Sequence, residues 1–342
     1  MALTFNSNNI TTATWNGNSL TQINWNGTKV WPEVTPVEPN YFYILNDTGS
    51  TINWEFDEAN AGQGYTPNLL ISNDKTNWTS FIKNTQYTLT DGQKCYFKAG
   101  TGGNNGMASS STDYLRFYHD GDSGVKIGGS LATLIDENGT TTDLTTTSAC
   151  NFYGMFNNTI GTAFTKIDFD TTFEIPFTKV PHDCFNVFGR TAFDMYYFPD
   201  LSKLQKVGCW AFFNCFNQSI YHNITVDISG IDEFIIDGDG QGTQFQNFLS
   251  GNSEGSIAKI KLSSLYSTPQ RAYRYMARYV PTISEVEVGW IMWPSSSNAT
   301  QNWLQGSDVS VFKCPSALGT NQSIARSDST CPATATVINT DI

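Results

Sequence analysis

Between residues 150 and 290 apolar and polar side chains alternate in short runs: Lys166–Asp170, Met195–Phe198, Ile224–Ile228, Ile257–Leu262 and Ile283–Val288. A period of two predicts strands with one buried face. Ile167, Phe169, Val226, Ile228, Ile260, Leu262, Val286 and Val288 form the expected inward set. Asp168, Asp227, Lys259, Lys261, Glu285 and Glu287 form the set expected to face water. Between the strands lie small aromatic-rich blocks. The clearest pair starts at Val180 and Val207; shifted by 27 residues (207 − 180), Cys184 falls on Ala211, Phe185 on Phe212 and Phe188 on Cys215. An earlier block, Cys150–Phe156, fits about 32 residues upstream. Repeat spacings in this range signal units that cannot bury their own apolar face and must stack into a continuous core. The expected repeat core therefore contains Val180, Cys184, Phe185, Phe188, Val207, Ala211, Phe212 and Cys215.

Elsewhere the pattern is also β. Residues 40–130 carry seven candidate strands, at Tyr41–Leu45, Thr51–Phe56, Asn68–Ser72, Thr85–Leu89, Lys94–Ala99, Tyr114–Tyr118 and Val125–Gly128, which suits an Ig-like β-sandwich. Gly100–Ser111 reads as a mobile loop. Upstream, Ile10–Trp15, Asn18–Trp25 and Thr28–Trp31 are separated by Asn16-Gly17 and Asn26-Gly27, a duplication offset by ten. Asn-Gly is the strongest two-residue hairpin signal because both turn positions need positive φ. Residues 1–31 are thus expected as a β-meander. Pro32, Pro36 and Pro39 make 32–39 a semi-rigid linker. One helix is expected, Pro269–Tyr279, with Ala272, Tyr275, Met276 and Tyr279 on one face, Thr268 as N-cap and Pro269 at the first helical position.

Composition narrows the function. The 342 residues are 39% hydrophobic and only 15% charged, with a net charge of −12. A packed core is expected, with an uncharged polar surface of extracellular or virion type. The acidic balance argues against a nucleic-acid partner, since phosphate binding needs a basic face. The opening residues, Met1 to Asn9, have neither the charged nor the apolar region of a signal peptide, and no run is long enough for membrane insertion. Seven cysteines leave at least one unpaired. Buried free thiols acting as small apolar fillers are expected, in preference to a Cys314–Cys331 bridge or to zinc bound by Cys209 and Cys215.

The repeat blocks also resemble a known family. Pro199…Val207-Gly208-x-x-Ala211-Phe212-Phe213-Asn214-Cys215 is similar to the BspA-type leucine-rich repeat. Ile175-Pro176…Val180-Pro181-x-x-Cys184-Phe185-x-x-Phe188 is similar to its Pro/Cys/Phe-rich variant, found in virion and surface proteins of gut Bacteroidales and their phages, the crAss-like phages included. The good match covers about 40 residues and a looser one all of 150–290; Thr243–Phe248 keeps only the aromatics. Ser72-x-Asp74-x-x-x-Trp78 resembles a turn of domains that neighbour such repeats. Ala299–Gly306 followed by Val309–Cys314 resembles a C-terminal cap, though Pro332-Ala333-Thr334-Ala335 stands where a Pro-x-Gly-Trp is usual.

The resemblance implies a mainly β chain: meander 1–31, linker 32–39, sandwich 40–130, a short BspA-type leucine-rich-repeat solenoid 150–290 and a cap 291–342. It implies a structural bacteriophage virion protein, a tail or head fibre or appendage subunit exposed on the particle. Its partners would be other virion proteins, copies of itself (a trimer by analogy) and a host surface glycan or protein. Trp15, Asn16, Gly17, Trp25, Asn26, Gly27 and Trp31 would form the attachment end. A cell-surface adhesin is the alternative; a tail-spike glycan hydrolase fits less well.

No catalytic constellation, cofactor or metal site emerges. Only His119, His182 and His222 are present, and no nucleophile elbow, zincin motif or P-loop occurs. Asp168 and Asp170 share a strand face at a spacing that glycoside-cleaving acids could adopt, but read as solvated outward residues. Asp237-Gly238-Asp239-Gly240 and Asp120-Gly121-Asp122 lack the bidentate Glu of a calcium loop, so turn formation explains them. Trp78, Trp210, Tyr153, Tyr196, Tyr197 and Trp290 are candidates for outward aromatic platforms.

Overall fold

The computed structural model describes residues 38–340 except 59–64, 122–123, 148, 158–166, 191–192, 237–241, 252–253, 295–297 and 322–329, together with short strands before residue 38. The chain divides into two compact units, Met1–Pro39 and Asn40–Ile342, so the break falls at the end of the Pro-rich stretch.

In the first unit Thr14–Trp15 pairs with Asn18–Ser19, and Ile23–Trp25 with Thr28–Trp31. Each pair of strands flanks one of the two Asn-Gly steps in the sequence. A third hairpin, Thr4–Phe5 with Asn8–Asn9, sits a further ten residues upstream. The expected strand Asn18–Trp25 is divided between two hairpins, and the described residues form separate two-stranded sheets, not one meander. Asn16, Gly17, Asn26, Gly27 and most of the linker lie outside the described residues.

The second unit begins with nine strands, β1 (Phe42–Asn46), β2 (Ile52–Glu58), β3 (Leu69–Ser72), β4 (Thr79–Ser80), β5 (Tyr87–Leu89), β6 (Lys94–Ala99), β7 (Ala108–Ser110), β8 (Asp113–His119) and β9 (Val125–Gly128). They form two sheets, β4-β3-β6-β1-β9 and β5-β2-β8-β7, antiparallel throughout. The apolar members of the alternating runs meet between the sheets: Trp54 and Phe56 of β2 contact Phe97 of β6 at ring separations of 5.6 and 6.0 Å. The Ser-x-Asp-x-x-x-Trp turn closes the β3–β4 hairpin. Asp74 accepts the backbone N–H groups of Thr76 and Asn77, and Trp78 Nε1 donates to the Lys75 carbonyl. Four hydrogen bonds to the Asp74 carboxylate, those from Asn77 and Thr76 foremost, pull its pKa down.

Gly100–Ser111 is not a free loop. Met107 and Ala108 are fully buried, and Asn104 ties the segment to Asn68 and to the Leu134 carbonyl. Met107 N–H bonds the Asn151 carbonyl of the first repeat block. These bonds, with a shared apolar core, place the regions expected as sandwich, repeats and cap in one compact unit.

Ten further strands follow: β10 (Ile167–Phe169), β11 (Lys179–Val180), β12 (Asp194–Met195), β13 (Lys206–Val207), β14 (Ile220–Ile228), β15 (Glu233–Phe234), β16 (Ser256–Leu262), β17 (Thr282–Glu287), β18 (Asp308–Cys314) and β19 (Thr336–Asn339). β9 pairs in parallel with β10, an Ile167–Phe193 bridge leads on to β12, and β12, β14, β16, β17, β18 and β19 continue in parallel. A second parallel column joins β11, β13 and β15, at 27-residue intervals. The segment expected as a cap thus carries two further rungs, β18 and β19.

The aromatic blocks make a third column. Each uses its backbone in two ways. Phe212, Asn214 and Phe216 donate N–H to the carbonyls of Gln244, Gln246 and Phe248 in the next unit, while Phe213, Cys215 and Asn217 donate three residues back within the block. Alternation between neighbour and self gives each of these backbone donors a partner. The chain path needs positive φ at every fourth residue, as at Trp210, Asn214 and Gln218, or at Arg271, Tyr275 and Tyr279. Pro269–Tyr279 is therefore such a block and not the expected helix: Tyr275 N–H bonds the Gln301 carbonyl of the next unit. Its buried residues are Pro269, Ala272, Tyr273, Met276 and Ala277, with Val280 buried just beyond it. A four-residue burial period imitates the i, i+4 stripe of a helix. The only α-helix among the described residues is α1 (Ser316–Asn321).

The core between the columns is aromatic. Phe152, Phe185, Phe212 and Phe245 stack in series at centroid separations of 5.2, 5.1 and 5.2 Å, and Tyr273 continues the row at 6.0 Å. Val180, Cys184, Phe185, Phe188, Val207, Ala211, Phe212 and Cys215 are all fully buried. Gly208 lies against the preceding unit, where a Cβ would overlap the Pro181–His182 peptide. This contact gives the Val-Gly pair its physical reason.

Candidate functional site

The alternate residues of the long ladder remain outside the core and form its outward face. Register brings Lys259 beside Glu285 and Lys261 beside Glu287. Lys259 bridges Glu285 at 2.8 Å and Glu287 at 2.5 Å, and Lys313 meets Glu285 at 2.7 Å. Partial burial works against the Glu285 carboxylate, but hydrogen bonds from Lys259 and Lys313 outweigh it and hold its pKa below the usual range. The downstream half of the face is therefore internally neutralised, each charge consumed by a neighbour.

The upstream half is different. Tyr196, just after β12, is 65% exposed and lies flat on the His222 ring, with centroids 4.0 Å apart and planes within 6°. His222 Nε2 is bonded to Asp194 Oδ1. Asp168 accepts N–H groups from Phe169 (2.7 Å) and Tyr196 (3.2 Å). Asp168 is half-buried and not the solvated residue expected; burial pushes its pKa up despite those two bonds. Asp170 is separately occupied, accepting from the Thr172 N–H and hydroxyl. Asp168, Asp194, Tyr196 and His222 thus form a stacking platform edged by carboxylates. No Ser, Thr or Cys side chain among the described residues is hydrogen-bonded to His222.

The other candidates scatter. Trp290 is wholly buried and leaves the list of outward aromatics. Trp78 packs on Tyr41 beneath Lys98, Tyr153 on Tyr114, and Trp210 on Phe213, all half-buried. His119 is buried and His182 pairs with Asp183. Asp120 caps Asn53, accepting its backbone and side-chain N–H groups. Asp237–Gly240 lie outside the described residues. All seven cysteines are free and buried, and no cluster of metal-ligating side chains exists among the described residues. Trp15, Trp25 and Trp31 each lie on a hairpin strand. A cavity of about 270 Å³ opens between the two sheets beside Trp54, Asp74 and Tyr87. Arg271, Arg274 and Arg278, gathered on one repeat block, escaped the sequence reading because the acidic overall balance masked them. No family model, curated protein or solved structure matches the chain.

Proposed function

We propose that the protein is a non-enzymatic structural component of a bacteriophage particle, a fibre or appendage subunit. In this reading the two packed sheets are an Ig-like β-sandwich, the stacked units a BspA-type leucine-rich-repeat solenoid, and residues 1–31 the end that docks to the particle. The observation that carries the proposal is the continuous parallel ladder from β9 to β19. A stack in which each unit contacts only its neighbours is a rigid spacer with a long lateral surface. A weakly charged polar surface and the resemblance of the repeat blocks support placement on a virion. The Tyr196–His222 platform supplies the outward aromatic surface through which such a subunit meets a host or another subunit.

Mass spectrometry of purified phage particles, with the full chain and a form lacking residues 1–31, tests the proposal. Presence of the full chain and loss of the truncated form supports docking through the hairpins. Absence of both from particles overturns the virion reading and favours the adhesin.

A further inference from the structure

On the turn-block side of the stack, away from the Lys–Glu ladder, two arginines of one unit, Arg274 and Arg278, lie against tyrosine rings. Block 271–279 places Arg274 over the Tyr275 ring at 4.4 Å, Arg278 over the same ring at 4.4 Å, and Arg278 over Tyr279 at 4.9 Å. Guanidinium and ring alternate along the surface. Arg274 also donates to the Tyr275 hydroxyl at 2.7 Å. Neither Arg274 nor Arg278 has an acidic partner among the described residues. Both flanking blocks, 243–251 and 298–306, contain no Asp or Glu and instead present Gln246, Asn247, Gln301 and Asn302. Register sets these amides beside the pair, because Asn247 N–H bonds the Arg274 carbonyl and Tyr275 N–H bonds the Gln301 carbonyl. Tyr279 is 48% exposed, and its ring lies over Gly306, where a Cβ would collide with it.

We infer that this Arg–Tyr face binds a polysaccharide bearing carboxylate or sulfate groups. Contact with the rings holds the guanidinium groups in place, and the N–H donors not used on the Tyr275 hydroxyl are left for contact with an anion. Tyrosine rings and rows of amides suit sugar faces and hydroxyls. A protein partner would call for an apolar centre, which this strip lacks. A nucleic acid would call for many neutralised phosphates, against a chain of net charge −12. The inference does not depend on the virion proposal.

Affinity electrophoresis of the full chain through gels containing polygalacturonate, dextran sulfate, neutral dextran or single-stranded DNA tests it. Retardation by either anionic polysaccharide, and not by neutral dextran or DNA, is expected. R274Q/R278Q should weaken it at least about tenfold, the scale of losing one charge-assisted contact. K259Q/K261Q, on the other face, should leave it unchanged, with circular dichroism verifying both folds. Binding shared with neutral dextran or DNA, absence of retardation, or full binding by R274Q/R278Q overturns the inference.

Discussion

Replacing Phe212 by alanine tests whether the aromatic row is what couples the units. The Phe212 ring is fully buried, stacks on Phe185 at 5.1 Å and on Phe245 at 5.2 Å, and meets Phe248 edge-on at 5.6 Å. Its backbone bond to Gln244 survives the substitution. Loss therefore comes from the side chain alone: about 3–5 kcal/mol for truncating a buried Phe, within which each lost stack accounts for about 0.5–1.5 kcal/mol. Phe213→Ala is the matched control. That ring is one residue away, half-buried against Trp210 at 4.8 Å, and should cost about 1 kcal/mol, as a partly exposed site does. Guanidinium titrations of both variants followed by far-UV circular dichroism give the comparison. A stack of nearest-neighbour units also predicts that Phe212→Ala lowers the apparent m-value, since units on either side can then unfold separately. Equal losses for Phe212→Ala and Phe213→Ala would refute the reasoning.

Three further outcomes follow from local geometry. Val187, β-branched, sits at φ 48°; Val187→Asn should raise stability by about 1 kcal/mol, and a destabilised variant would mean its side-chain contacts outweigh the strain. Gly208→Ala forces a Cβ into the Pro181–His182 peptide and should cost about 1–3 kcal/mol in the same titration; a neutral result would show that the units separate easily. Hydrogen bonds from Lys179, then Thr145, lower the Asp143 pKa from 3.8 to about 2. A depressed carboxylate stabilises above its unfolded pKa and loses that contribution as pH falls from about 4 through 2. Each side chain is about a third exposed, so solvent screening limits the effect to under about 1 kcal/mol. Asp143→Asn should erase this acid-side loss, visible as a smaller shift in unfolding midpoint between neutral and acidic titrations.

The alternating runs marked the long ladder strands and their inward faces, because a period of two leaves one way to bury Ile260 and Leu262 while Lys259 and Lys261 face out. The sequence also marked which residues stack between units, because Phe185 and Phe212 share one position of the repeat. It did not determine the conformation of the blocks. Ala272 and Met276 satisfy a helix and a turn ribbon alike, since both bury every fourth residue. Packing settles the matter, because Tyr275 donates its N–H to the Gln301 carbonyl of the next unit and not to the carbonyl four residues back. The platform of Tyr196 on His222 and the charge of Arg274 and Arg278 were equally hidden. They depend on which strand lies beside which and on where no carboxylate comes near, and such spatial facts arise only when the units pack.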